Sequence, residues 1–352
     1  MSSATDTALV ALMNALSECP APTWWFAGEQ EFAPPVASGE VNVFTNRCDT
    51  AALFSDRGYP VILGDFELPS GDGQNAEWER PQSICYRVSK EKALVHYLIN
   101  QAAKALPEGG ELLLAGFKGD GLKTYADKAA KLLGGQKQIE KCAGNAYLAR
   151  ISKGELSDQW LPDQDYTRLQ MIHEEPVLLS KPGIFGWQKC DRGSALLIEQ
   201  LPGVLASCQR APHRLLDLGC GYGYLTVMAH RHLPGSEWLL TDNNATALIA
   251  AQANCERHGI AAETLLADCG SGAQGPFDMV LCNPPFHQGF AVEGSLTDQF
   301  LAAASQVLAR GGQALFVVNE FIPLERKARQ AFASSELLIR CDGFCVYRLI
   351  AR

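Results

Sequence analysis

No uninterrupted apolar run in this sequence approaches the roughly 18 residues that a membrane-crossing helix needs. Met1 to Leu16 hold no basic side chain and no long apolar stretch, so nothing there reads as an export signal. A cytoplasmic protein with no membrane partner is the expectation. Basic charge is scarce too: 30 Lys and Arg stand against 39 Asp and Glu, a formal net charge of −9, which argues against a protein that coats nucleic acid non-specifically. The deficit is uneven. Residues 1–80 carry 3 basic and 12 acidic side chains, whereas residues 81–150 carry 11 and 6. Paired cysteines are missing as well. There are 12 cysteines but no Cys-x-x-Cys, and Cys341/Cys345 has no second Cys or His pair nearby. Neither a disulfide framework nor a metal site is expected, only reduced thiols. What is present is a folded composition, 47% hydrophobic and 20% charged, in 352 residues, long enough for two domains with separate cores.

The second half alternates strand and helix. Arg214–Leu218 reads as a strand, Tyr224–His232 as a helix, Glu237–Thr241 as a strand and Ala245–His258 as a helix. Thr264–Ala267 ends a third strand, and Phe277–Cys282, helix Leu296–Leu308 and strand Gly312–Asn319 follow. Strands separated by helices of about a dozen residues imply an α/β fold with a mostly parallel, doubly wound sheet. After a helix near Leu324–Ala333, two strand-like runs flank Asp342-Gly343, a dipeptide that favours a hairpin at one sheet edge.

The first half resembles a worn copy of the second. Ser83–Val88 stands where Phe277–Cys282 stands, and the turns Gly109-Gly110 and Gly311-Gly312 are 202 residues apart. Cys142-Ala-Gly-Asn-Ala-Tyr147 matches Cys341-Asp-Gly-Phe-Cys-Val-Tyr347 at nearly the same offset. Two similar domains in tandem follow: residues 1–160, a linker or lead-in segment over 161–180, and residues 181–352.

Chemistry concentrates in the second copy. In Leu215-Leu-Asp-Leu-Gly-Cys-Gly-Tyr-Gly223 an apolar strand feeds a turn with Gly219, Gly221 and Gly223, where backbone can approach a ligand closely. A dinucleotide fingerprint needs glycine at 224, and the chain has Tyr224. Asp217 on the strand would repel a pyrophosphate but suits a ligand carrying an ammonium group. Asp242 ends the next strand, where a carboxylate can accept from both hydroxyls of a ribose. Asp at such a turn can also cap the following helix, unless Asn243 or Asn244 does so. Asp268 ends the third strand, within reach of an adenine amino group.

Cys282-Asn-Pro-Pro-Phe286 closes the fourth strand. Two prolines stop the strand and present Asn283 at the carboxyl edge of the sheet, where doubly wound folds bind ligands. A nucleobase amine is a poor nucleophile because its lone pair is delocalised into the ring. The Asn283 side-chain oxygen and the Pro284 carbonyl can take its two hydrogens, and Phe286 can stack on the planar group. That is catalysis by orientation and charge placement.

Asp217–Gly223, Asp242, Asp268 and Asn283–Phe286, in that order, resemble the motifs of class I S-adenosylmethionine-dependent methyltransferases that modify exocyclic amines. With Lys181-Pro-Gly-Ile-Phe-Gly-Trp187 ahead of them and Phe344-Cys-Val-Tyr-Arg-Leu at the end, the chain is similar to the bacterial ribosomal RNA small subunit methyltransferase C family. The resemblance implies two Rossmann-like domains, the first degenerate and without cofactor, and methyl transfer from S-adenosylmethionine to the N2 amine of a guanine in small-subunit (16S) ribosomal RNA. It implies a cofactor site made of Phe185, Asp217, Gly219, Cys220, Gly221, Gly223, Asp242, Asn243, Asp268, Cys269 and Asn283, and catalysis by Asn283, Pro284 and Phe286. The partner it implies is small-subunit RNA or the assembled subunit, met by a monomer. The family's Pro-Gly-Val-Phe-Ser element reads Pro182-Gly-Ile-Phe-Gly186 here, so the serine contact is missing.

The basic stretch Lys118–Lys141, with Lys118, Lys123, Lys128 and Lys131, could position RNA phosphates, as could Arg326 and Lys327; a solvated surface is the plainer explanation. Two other activities use much the same motifs, methylation of a large-subunit (23S) guanine and methylation of a protein glutamine amide; a catalytically inactive RNA-binding assembly factor is a further alternative, which the intact glycine turn and Asn283-Pro-Pro-Phe286 disfavour.

Overall fold

A computed structural model describes residues 6–29, 34–37, 39–68, 79–285 and 290–352, with the side chains of 290–295 left aside. The chain divides into two units, Met1–Arg168 and Leu169–Arg352.

The first unit holds strands β1 (Thr23–Phe26), β2 (Val41–Thr45), β3 (Val61–Leu63), β4 (Ser83–Arg87), β5 (Glu111–Phe117), β6 (Gly134–Lys141) and β7 (Ala146–Lys153). Its helices are α1 (Thr7–Leu16), α2 (Cys48–Ser55), α3 (Lys92–Ala105), α4 (Leu122–Leu133) and the short α5 (Gln164–Thr167). The second unit opens with a two-stranded hairpin, β8 (Gln170–Glu174) and β9 (Val177–Ser180). Then come β10 (Arg214–Leu218), β11 (Glu237–Asp242), β12 (Ala262–Leu266), β13 (Phe277–Cys282), β14 (Leu308–Asn319), β15 (Ser334–Cys341) and β16 (Phe344–Ile350). Its helices are α6 (Arg192–Ala206), α7 (Tyr224–His230), α8 (Ala245–Arg257), α9 (Phe290–Val307) and α10 (Leu324–Ala328).

The two seven-stranded sheets share one topology. Their orders are β3-β2-β1-β4-β5-β7-β6 and β12-β11-β10-β13-β14-β16-β15, that is, third, second, first, fourth, fifth, seventh, sixth in both. Five strands of each run parallel, and the last two form an antiparallel pair at one edge. The tandem reading and the edge hairpin are thus both present. The hairpin turns at Asp342 and Gly343, φ 51° and 82°, a pair of left-handed residues that matches the twist of the strands it joins.

Side chains alternate between the two faces of each sheet. In the second unit Leu215, Met279, Leu281, Leu315 and Val317 pack with Leu197, Leu225 and Ala247 of α6, α7 and α8. Leu216, Leu218, Val280, Cys282, Phe316 and Val318 pack with Phe300 and Leu301 of α9 and Leu324 of α10. Both faces are covered, which is why these strands read as continuous apolar runs rather than alternating ones.

Some boundaries differ from expectation. Helix α9 begins at Phe290 instead of Leu296, and α10 ends at Ala328 instead of Ala333. The basic stretch beyond α4 is a strand, β6, with mostly exposed side chains on the sheet edge. Residues 161–180 are divided between the units: Leu161 and Tyr166 are buried in the first, and Leu178 is fully buried in the second. The hairpin β8–β9 sits on α8, where Asn254 exchanges hydrogen bonds with the Leu179 backbone, 2.8 Å each way, and also donates to Tyr222 O at 2.8 Å.

A candidate active site at the carboxyl edge of the second sheet

The carboxyl ends of β10, β11, β12 and β13 are neighbours, and each delivers one motif residue to the same edge. From β10 comes Asp217, in register with Leu281 and completely buried. Its Oδ2 accepts from Thr226 N at 3.1 Å and from Thr226 Oγ1 at 2.7 Å, while its Oδ1 is buried with no hydrogen-bond partner. Burial pushes this carboxyl up to about 7; the Thr226 hydrogen bonds pull it down, and the Asp242 charge raises it further.

Gly219, Gly221 and Gly223 all have positive φ, 79°, 55° and 83°, so the turn after β10 is built for residues without a Cβ. A Cβ on Gly219 would come within 3.1 Å of the Phe300 ring. The turn is pinned to β11: Gly219 N and Cys220 N both donate to Thr241 O, at 2.8 and 2.9 Å. Asp242 then accepts from Gly221 N at 2.8 Å and from Asn244 N at 2.9 Å. Asn244 is the residue that caps α8, its Oδ1 accepting from Thr246 N at 3.0 Å, so the capping role falls beside Asp242 and not on it.

The segment 181–186 lies near this turn, tied by Asn244 Nδ2 donating to Gly183 O at 2.8 Å. Ile184 is buried there, while Phe185 is 59% exposed, so Phe185 is presented outward and is no core aromatic. Asp268 is exposed just beyond β12; Ala267 N donates to Asp242 O at 2.9 Å, and Cys269, φ 45°, lies in the same turn. Burial raises the thiols of Cys220 and Cys282 well above their ordinary value, so both are neutral.

From β13 comes Asn283. Its Nδ2 donates to Asp191 Oδ2 and to Ser194 Oγ, both at 2.8 Å, and its Oδ1 is buried without a partner. Pro284 is buried beside it. Phe286 and His287 lie outside the described residues. Asp191, Ser194 and Thr226 were not singled out by the sequence. The one available signal was Asp191 three residues before Ser194, ahead of an apolar helix, an ordinary N-cap pattern.

The basic residues divide. Lys118, Lys131 and Arg326 are exposed, and Lys123 lies over the Tyr147 ring at 4.8 Å. Lys128 Nζ instead donates to His96 Nε2 at 3.0 Å, and Lys327 binds both oxygens of Asp298 at 2.8 and 2.7 Å.

In the first unit the same edge is differently equipped. Trp25 pairs with Cys85 as Asp217 pairs with Leu281, so a buried indole occupies the place of the carboxylate. Arg87 stands at the register position of Asn283, its guanidinium ion-paired with Asp6 at 2.9 Å and Asp120 at 2.7 Å. Among the described residues no helix is long and apolar enough to cross a membrane, and no group of three His, Cys, Asp or Glu could hold a metal.

A profile of the Methyltransferase small domain matches residues 175–348, nearly the whole second unit. Ribosomal RNA small subunit methyltransferase C of Pseudomonas paraeruginosa is 30% identical over 259 residues, 73% of this chain and 76% of that protein. This chain belongs to the ribosomal RNA small subunit methyltransferase C family. The methyltransferase C of Hahella chejuensis is 27% identical over 294 residues, 82% of this chain and 81% of its own, so the family likeness runs into the first unit. Among solved structures, the T. thermophilus 16S rRNA N2 G1207 methyltransferase, in complex with AdoMet and guanosine, superposes with a TM-score of 0.78 over 97% of this chain and 92% of its own at 22% identity. The two-unit, Rossmann-like architecture of the methyltransferase C family is therefore the architecture of this chain.

Proposed function

We propose that this chain transfers a methyl group from S-adenosylmethionine to the exocyclic N2 amine of a guanine in 16S ribosomal RNA, acting on the RNA or the small subunit in the cytoplasm as a monomer. The second unit performs the chemistry. The carrying observation is the Asn283 amide: both of its hydrogens are engaged inside the protein, and its oxygen is a buried acceptor with nothing to accept from. Leaving such an acceptor empty costs about 1–3 kcal/mol, and a donor from a planar amine would satisfy it.

The residues along the edge suit S-adenosylmethionine. Asp217 offers a buried, unpartnered Oδ1 to an ammonium group, and the positive-φ glycines let backbone N–H groups approach the methionine end. Asp242, beside Gly221, would accept from the ribose, with Asn243 next to it. Asp268 and Cys269 would meet the adenine, and Phe185 would cover the site. S-adenosylmethionine, when bound, supplies a methyl group on positively charged sulfur, which takes up the electron pair of the breaking S–C bond.

Asn283 Oδ1 and the Pro284 carbonyl hold the two hydrogens of the target amine. That turns its lone pair out of the ring plane, and Phe286 stacks on the base, which must be unpaired or flipped to enter. No strong base is required: once methylated, the nitrogen carries a positive charge and is strongly acidic, so its surplus proton passes to water as conjugation with the ring is restored. The first unit serves the RNA: Lys118, Lys123 and Lys131, with Arg326 in the second unit, offer phosphate contacts that position without reading sequence.

Asn283→Ala should lower methyl transfer by roughly a hundredfold or more while leaving the S-adenosylmethionine Kd within a few-fold. Equal loss of cofactor affinity would contradict this division of roles. A fully active variant would remove Asn283 from the chemistry.

A further inference from the structure

A side-chain amide can present either its oxygen or its nitrogen, because rotation by half a turn exchanges them at almost no steric cost. For Asn283 the choice decides function. Oxygen outward accepts from an amine, whereas nitrogen outward opposes one donor with another. Its environment makes the choice. Nδ2 has two hydrogens, and Asp191 Oδ2 and Ser194 Oγ each take one at 2.8 Å. The two acceptors are not equivalent. A serine hydroxyl can turn and donate, so Ser194 tolerates either orientation. An ionised carboxylate only accepts, so a flipped Asn283 would set its oxygen against the oxygens of Asp191. Discrimination therefore resides in Asp191.

Asp191 is itself held firmly. It caps α6, its Oδ2 accepting from Ser194 N at 2.7 Å, so the same oxygen serves the helix and the amide. The next helical residue but one, Gly193, leaves the room for this: a Cβ there would stand 3.1 Å from Asp191 Oδ2 and 3.1 Å from the Phe344 ring. A negative charge behind Nδ2 also polarises the amide and strengthens Oδ1 as an acceptor.

We propose that Asp191 is a positioning residue for methyl transfer, locking the Asn283 amide with its oxygen toward the target amine. It does not touch the substrate. The proposal rests on Asn283 being the acceptor of that amine, and its test separates the two.

The test compares Asp191→Ser, Asn283→Asp, the double variant and Asn283→Ala, with kcat and KM on small subunits, S-adenosylmethionine Kd and thermal unfolding measured for each. Serine caps helices as well as aspartate does, so Asp191→Ser retains the α6 cap and folds. Its hydroxyl can accept from Ser194 N and still turn its own hydrogen toward the amide, so either orientation of Asn283 is tolerated, and kcat should fall roughly ten- to hundredfold with KM and cofactor Kd within a few-fold. Asn283→Asp places two carboxylates together, and they must share a proton, so its residual activity should rise as pH falls from 8 to 6. The double variant removes the second carboxylate and offers the new acid a hydroxyl donor that leaves the α6 cap in place. Its kcat should exceed that of Asn283→Asp at pH 8 by roughly tenfold, a rescue that a merely structural role would not produce. Wild-type kcat in Asp191→Ser, or a double variant no better than Asn283→Asp, would overturn the positioning role. Wild-type kcat in Asn283→Ala would overturn the underlying reading of Asn283 instead.

Discussion

Asp217 and Thr226 are joined twice, through the Thr226 backbone N at 3.1 Å and its hydroxyl at 2.7 Å, and both bonds fall on the same carboxylate oxygen. The other oxygen stays buried and unpartnered, and burial holds the group up at about 7. A cationic ligand favours the ionised form, so S-adenosylmethionine should bind more tightly as pH rises. Its Kd should fall by roughly tenfold between pH 6 and pH 8 and level off above. Calorimetric titration across that range, in buffers of different ionisation enthalpy, also reads the proton released below pH 7. For the free protein the sign is opposite. A carboxyl raised from 3.8 to about 7 favours the folded state in acid, and that contribution is lost as pH rises through this window.

Asp242 serves the glycine turn and the start of α8 at once, through Gly221 N and Asn244 N. Asp242→Ala removes the carboxylate proposed to accept from the ribose and takes away the acceptor that pins Gly221 N in the glycine turn. The S-adenosylmethionine Kd should rise roughly ten- to hundredfold, read by equilibrium binding. An unchanged Kd would place the ribose elsewhere.

Gly219→Ala combines a left-handed φ of 79° with a close approach to Phe300, whereas Gly221→Ala has φ 55° and open space around its Cβ. The first should destabilise the second unit by about 1–3 kcal/mol and the second by less. Paired thermal melts decide the ranking, and equal melting temperatures would deny the contact with Phe300.

The exposed Lys118 and Lys131 and the engaged Lys128 and Lys327 make a controlled contrast. Lys118→Ala/Lys131→Ala should raise KM for the small subunit a few-fold and weaken its salt dependence, with S-adenosylmethionine Kd unchanged. No change in KM would remove the first unit as the RNA foothold at these positions.

The central strands of the second sheet were legible because β10 and β13 are buried along most of their length and run straight into Gly219 and Asn283, while β11 ends in Asp242. The tandem repeat was legible because turn glycines recur at a fixed offset. Strand β6 was not: its burial is slight and its sequence polar, so nothing separates it from the end of α4. The hairpin β8–β9 was read only as a linker or lead-in segment, because part of what holds it, Asn254, stands on a helix 75 residues further on. The spacing of Asp217, Asp242, Asp268 and Asn283 was enough to place them at strand ends along one sheet edge. Asp191 could not be placed so, because its partner Asn283 lies 92 residues away and only the folded sheet brings them together.

Where the methyl group arrives is the most direct measurement of what this chain does. The purified chain, given methyl-labelled S-adenosylmethionine and separated ribosomal subunits that lack the modification, should label small-subunit RNA, and nuclease digestion should release the label as N2-methylguanosine. Label in the large subunit, on a protein glutamine, or in neither subunit would contradict the proposed function.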